Sequence, residues 1–349
     1  MTAKRITYID MAKGIGILLV VFGHSGFPSP AVNQWISSFH MPLFFLLSGI
    51  LLSHTNAHEK PLKDTIKKKA RTILVPYLFF SIFSILFSAI LDTDTFAAYL
   101  PNALLQTVVF YGISVLWFLP SLFFGETVFL FIRKHTSLLV TGLLSLAVCL
   151  ISVLVVNTYH YHYFVNFDSY LSLLGAYLIS VFVRAGMAVA FLALGYFSHY
   201  LFFQKEHARI TYAVSACLFL ALNIYLAFKN DAVDLNNMVF HDYRLYFPAA
   251  FCGGMFIICL SAALPAWKPL MAAGRHSLII MATHMNCRFL GICYAVGNIA
   301  LGLLPFLGQF GYMLVCSAIM IGLEVVAIYV INRYVPFIIG TKWDNKKRA

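Results

Sequence analysis

Charge is what this 349-residue sequence lacks most. Only 11% of its residues are Asp, Glu, Lys or Arg, against about 25% in soluble domains. With 61% apolar residues beside so little charge, a disordered chain is excluded and a soluble enzyme has almost no room. Paired cysteines are missing as well. The seven Cys residues all lie in apolar stretches and none has C-x-x-C spacing; a disulfide scaffold is excluded, and buried, unpaired thiols are expected. No loop is long enough for a soluble domain, and no internal repeat is visible, which argues against a transporter built from inverted repeats. The first apolar run follows Lys4 and Arg5 but has no A-x-A cleavage pattern, and it contains Asp10, Lys13 and His24. It reads as a retained helix, not a signal peptide.

What the sequence does have is a succession of apolar runs. About 20 mainly apolar residues cross a bilayer as a helix. Ten spans are expected, over 7–26, 35–53, 73–91, 113–132, 138–157, 183–203, 210–228, 245–265, 276–296 and 308–332. Residues 96–112 read as a surface or re-entrant segment, and 169–182 either extend the sixth helix or pack beside it. The expected fold is therefore all-α, a polytopic membrane helix bundle of about ten transmembrane helices, in a single domain over 1–349 that ends in a basic tail, 333–349. The formal charge is +11. In a soluble protein such an excess suggests nucleic acid. Here the basic residues separate apolar runs, so topology explains them and no nucleic-acid partner is expected. With the N-terminus inside, 20 of the 24 Lys and Arg fall in cytoplasmic segments, Lys229, Arg244 and Arg288 fall outside, and Arg184 lies within a span. That asymmetry puts both termini in the cytoplasm and calls for an even number of spans.

A charge at the centre of a membrane helix costs at least ~2.5 kcal/mol, so intramembrane polar residues are functional candidates by default. They are Lys13, His24, Glu126, Arg184, His284, Arg288 and Glu324, with His40 and Trp117 near the outer ends of their helices. Lys13 and His24 are 11 residues apart. Eleven steps of about 100° end about 20° beyond three full turns, so both share one helical face, roughly 16 Å apart along the axis. Spacing alone leaves two readings open: a functional pair, or a lysine snorkelling to lipid phosphates with a histidine at the helix end. Gly14, Gly16 and Gly23 leave room for close packing, as do Ser48 and Gly49 on the second span. The basic run Lys67–Arg71 suits anionic lipid, or a nucleotide carrying several phosphates. Glu126 lies nine residues after Trp117, half a turn off its face. It faces inward and either orients His24 or pairs with a buried cation; a purely structural pairing with Arg184 or Arg288 is the alternative. His284 reads as an interior histidine or as part of an acceptor site with His40 and Trp117. Glu324 reads as structural. The Tyr159-His160-Tyr161-His162-Tyr163 run falls in an outer loop, where aromatics anchor to the interface or stack on sugars. No partners are identifiable that would make it a metal site, and no metal is expected.

Three patterns occur in order: Lys13-x10-His24, then Phe44-Phe45-x-x-Ser48-Gly49, then Lys68-x-x-Arg71 with Pro76. In these the chain resembles the integral-membrane acyltransferase-3 family. Tyr8-Ile9-Asp10-x-Ala12-Lys13-Gly14-Ile15-Gly16 is most similar to its fucose 4-O-acetylase-like branch, and Trp117-Phe118-Leu119 and Ser277 followed by His284 also fit. The resemblance implies transfer of an acyl group, usually acetyl from acetyl-CoA, to hydroxyls of extracytoplasmic or lipid-linked glycans, by a multi-pass protein of the bacterial cytoplasmic membrane. On that reading Lys13, Lys68 and Arg71 hold the CoA phosphates at the cytoplasmic face. His24 acts as general base or itself takes the acetyl group, and His40, Trp117 and His284 line the acceptor side. Membrane lipids are the remaining partner. Lys stands at 13 and 68 where the family commonly has Arg, offering a point charge instead of a bidentate fork. A succinyl donor, a glycan or small-molecule transporter or flippase, and an envelope scaffold are the alternatives.

Overall fold

A computed structural model of the chain describes residues 6–27, 29–159, 170–205 and 207–340. Residues 160–163 of the aromatic run and the tail beyond Gly340 lie outside them. Among the described residues the regular structure is helical, apart from one isolated bridge between Asp234 and Val239. In chain order the helices are α1 (Thr7–His24), α2 (Pro30–Ser37), α3 (His40–His54), α4 (Leu62–Lys69), α5 (Val75–Leu91), α6 (Thr93–Val108), α7 (Phe118–His135), α8 (Leu138–Tyr159), α9 (Tyr170–Ser198), α10 (Arg209–Lys229), α11 (Tyr243–Ala263), α12 (Lys268–Arg275), α13 (Ser277–Thr283), α14 (Phe289–Leu303) and α15 (Gly308–Tyr334).

Nine stretches among the described residues are long and apolar enough to cross a membrane, against ten expected. The difference is the span expected over 276–296. It breaks after Thr283, turns at Arg288 with φ +54°, and resumes as α14. Ion pairing of Arg288 with Asp92 and hydrogen bonds from Thr283 Oγ1 to the Glu324 carboxylate (2.8 and 3.0 Å) hold the two halves in place. The second expected span is also jointed, because the chain turns at Ser38 and Phe39 between α2 and α3. Pro42 consequently falls in the first turn of α3, where a missing N–H breaks no helical bond. Of residues 96–112, those up to Val108 lie in α6, which packs on α5, and of 169–182 the described residues, 170–182, extend the sixth span as the start of α9.

Between α4 and α5 the helix widens into a π turn, Ala70–Leu74, where the Val75 N–H reaches back five residues to the Ala70 carbonyl. Pro76 has no N–H to offer Thr72, so the ordinary ladder cannot continue there. Arg71 projects from this turn and is exposed, as is Lys68 just before it.

The middle of the bundle is α3, buried along most of its length between α1, α9 and α11. Two reciprocal glycine pairs bring backbones together. A Cβ on Gly14 of α1 would overlap the Leu270 carbonyl of α12, and one on Gly274 of α12 the Asp10 carbonyl of α1. Gly49 of α3 and Gly195 of α9 stand in the same relation to Leu192 and Leu46. Lipid tails supply no hydrophobic drive between helices, so such close packing is what holds them together.

Side-chain contacts sort the loops into two ends. At one, Lys134 donates to the Lys60 carbonyl (2.7 Å) and Arg275 pairs with Asp10 (3.7 Å). Arg133 donates to Tyr196, whose hydroxyl donates on to His58 Nδ1 (both 3.2 Å). Burial, then the nearby Arg133 charge, holds the His58 imidazole below its ordinary pKa, which keeps that acceptor nitrogen unprotonated. At the other end, Trp35 donates to Asn223 (2.7 Å) and Gln34 to the Asn230 carbonyl (2.8 Å). The first end collects the Lys- and Arg-rich segments, which the charge asymmetry is expected to place in the cytoplasm. With a membrane-impermeant maleimide on intact cells, Asp231→Cys is expected to label and Lys60→Cys to stay silent until the membrane is opened. The reverse pattern would invert the topology.

Candidate active site

Two chambers lie one above the other along α1. The lower, about 170 Å³, is lined by α1, α3, α7 and α13; its polar side chains are Lys13, Ser48 and Ser277, and the rest of its wall is apolar. The upper, about 370 Å³, is the more polar of the two: His24, Asn33, Ser37, His40, Ser114, Asp234 and Asn236 face it, with Trp117 and an apolar remainder that includes Val20, Ile36, Met41 and Leu235. The shared face expected of Lys13 and His24 is therefore realised, each contributing to one chamber.

His24 has an imidazole partner. Its Nδ1 lies 3.0 Å from Nε2 of His284, with the rings stacked at 5.2 Å. His284 Nδ1 is 2.9 Å from the Ile280 carbonyl. A carbonyl only accepts, so in the neutral pair His284 carries its proton on Nδ1 and presents a lone pair at Nε2. His24 must then donate from Nδ1, and its Nε2 keeps a lone pair. The tautomers are assigned from these partners. The break after α13 sets His284 at this point. His284 thus pairs with His24 and is not among the residues that line the upper chamber. His40 and Trp117 do line the upper chamber, and His40 Nδ1 donates to the Ile36 carbonyl (2.9 Å).

The upper chamber is roofed by two loops, those carrying Tyr111 and Asn236, joined through one buried cation. Arg184, 1% exposed, donates to the Asn236 carbonyl from Nε (3.0 Å) and Nη2 (2.7 Å) and to the Tyr111 carbonyl from Nη1 (2.9 Å). The Tyr111 ring lies 4.3 Å from the guanidinium carbon and the Trp117 ring 5.4 Å, which favours a cation held over π faces. Left-handed backbone at non-glycine residues recurs in these two loops, at Phe110, Ser114, Met238 and His241. Strained positions of this kind persist where surrounding structure fixes them, often beside functional sites.

Glu126 is buried and pairs with a cation, but that cation is Lys69, not Arg184 or Arg288, and the carboxylate's hydrogen bonds go to neither imidazole. Its Oε1 accepts from Lys69 Nζ (2.8 Å) and from the Ser48 hydroxyl. Nine residues of helix carry it about 13 Å from Trp117, away from the imidazoles and toward the basic end. The pair ties the π turn to α7 and α3. Breaking a buried ion pair by removing one partner leaves an uncompensated charge, whereas apolar replacement of both is often neutral. Glu126→Gln is accordingly expected to lower the thermal midpoint in detergent by several degrees, and Glu126→Leu combined with Lys69→Met to recover most of it. Lys68 and Arg71 line neither chamber; they flank the lower one on the segment that contributes Ile73 to its wall.

Sequence reasoning missed Asp234 and Asn236. They lie in an outer loop with ordinary composition, and only the fold carries that loop over α1. Among the described residues no three His, Cys, Asp or Glu side chains are grouped to hold a metal.

A bundle of apolar, membrane-length helices with an imidazole pair and stacked chambers inside it is a multi-pass membrane protein whose site lies within the bundle. The acyltransferase-3 family model, an acyltransferase domain, matches residues 6–331, so the chain belongs to that family and is a membrane acyltransferase. No curated protein and no solved structure matches the chain.

Proposed function

We propose that the protein moves an acetyl group from cytoplasmic acetyl-CoA to a sugar hydroxyl of an extracytoplasmic or lipid-linked glycan, in a bacterial cytoplasmic membrane. The observation that carries this reading is the His24–His284 pair above an apolar chamber whose other end holds Lys13. Lys13, Lys68 and Arg71 supply charge for the donor's phosphates. The apolar lower chamber suits the pantetheine arm, and the polar upper chamber suits a hydroxyl-rich acceptor. His24 Nε2 takes the proton from the acceptor hydroxyl, whose oxygen attacks the thioester carbonyl. The C–S bond breaks, and the imidazolium returns the proton to the departing thiolate. The hydrogen bond from His24 Nδ1 to His284 holds the ring in orientation and spreads the transient positive charge.

Labelled acetyl passing from acetyl-CoA to the saccharide fraction of membranes is the direct test. Glycan export without label transfer would favour a transporter instead. One charge-assisted phosphate contact is worth roughly 1.5–3 kcal/mol, so Lys13→Ala or Arg71→Ala is expected to weaken apparent acetyl-CoA affinity about 10- to 150-fold. Acceptor affinity is expected to hold; equal loss of both would remove the cluster from the donor site.

A further inference from the structure

The two chambers meet at a single ring of side chains. Val20 of α1, Met41 of α3 and Met281 of α13 line both chambers, and no other lining residue is shared. The ring lies about one helical turn below the imidazoles. Val20 precedes His24 by four residues, Met281 precedes His284 by three, and Met41 follows His40. Val20 and Met281 are buried. No ring member has a charge or a strong hydrogen-bonding group.

A thioester entering from the Lys13 end has to pass this ring to reach His24 Nε2. Resting on the function proposed above, we infer that Val20, Met41 and Met281 select the acyl group. Slim, uncharged acyl groups pass, and branched or carboxylated ones are held back. A branch adds girth where three helices converge. A carboxylate at the acyl end, as in succinyl, has to shed its water beside side chains that offer neither a donor nor a cation in return. The two methionines are unbranched and adaptable, so the ring can yield to a linear thioester and close behind it. The succinyl alternative is thereby disfavoured by the ring's chemistry.

The experiment compares acetyl-, isobutyryl- and succinyl-CoA as donors to the saccharide fraction of membranes carrying the parent protein, Val20→Ala, Met41→Ala or Met281→Ala. One methylene in an apolar pocket changes selectivity about 10- to 200-fold. The parent is expected to favour acetyl over both rivals. The alanine variants are expected to raise the isobutyryl-to-acetyl ratio about 10-fold, with succinyl still excluded. An unchanged ratio in variants that still transfer acetyl overturns the ring and leaves the acetyltransferase reading intact. If the parent transfers none of the three groups, that reading falls and the ring falls with it. A second measurement does not depend on the alanine variants folding. Met281→Cys is treated with methyl methanethiosulfonate and followed by peptide mass spectrometry. Saturating acetyl-CoA is expected to slow modification at least 10-fold, and equal rates with and without donor also overturn the assignment.

Discussion

His24→Asn is expected to lower acetyl transfer by about 10²–10⁴-fold, the usual contribution of a positioned general base, while the protein inserts normally and still binds CoA. Asparagine keeps much of the size and some of the hydrogen bonding but takes no proton near neutral pH. Transfer close to the parent rate at equal membrane level would make His24 structural. His284 separates catalysis from positioning. It accepts from His24 Nδ1 at 3.0 Å, so His284→Ala frees that ring to turn, whereas His284→Gln retains an accepting oxygen. The alanine variant is expected to lose rate more than donor affinity, and the glutamine variant to recover part of it. If only His284 proves essential, the base lies on the broken ninth span and His24 merely lines the path.

The second large effect concerns assembly. Gly49→Val or Gly195→Val is expected to reduce folded protein at least tenfold. The new side chain would meet the Leu192 or Leu46 backbone carbonyl across α3 and α9, and backbone in a packed helix cannot step aside as a flexible side chain can. Gly175→Ala and Gly291→Ala serve as controls, because nothing lies within 4 Å of a Cβ at either position. They are expected to be neutral or slightly stabilising, since glycine in a helix interior costs about 0.5–1 kcal/mol relative to alanine. Size-exclusion chromatography in detergent gives the folded fraction. Normal yields from both valine variants would mean the helices stand further apart than described.

The spans were legible because hydropathy over 20 residues is a strong signal, and the Lys13–His24 relation was legible because both lie on one helix. Where two distant segments had to meet, local pattern was insufficient. Glu126 and Lys69 are 57 residues apart, and their contact depends on how the end of α4 packs against α7, which no helical periodicity reveals. His24 and His284 are 260 residues apart. Ser277 and His284 fell within one expected span, and the polar cluster at its break, His284, Asn286 and Arg288, is averaged away over a 20-residue hydropathy window. The same applies to Arg184: its burial was foreseeable as an intramembrane charge, but its two carbonyl partners belong to loops that only the finished bundle brings together.

The interrupted span also bears on the order of biosynthesis. As a helix, the 15 residues of α14 are about 22 Å long, short of the roughly 30 Å hydrocarbon core, and the seven of α13 are shorter still. Neither half is long enough to settle in the bilayer as an independent helix. Their place is set by neighbours made earlier and later, α1 and α15, through contacts such as Thr283 with Glu324. His24 is made 260 residues before His284, yet its imidazole partner is held beside it only after α15 has been synthesised to pack on α13. A nascent or C-terminally truncated chain therefore carries the first half of the pair without the second.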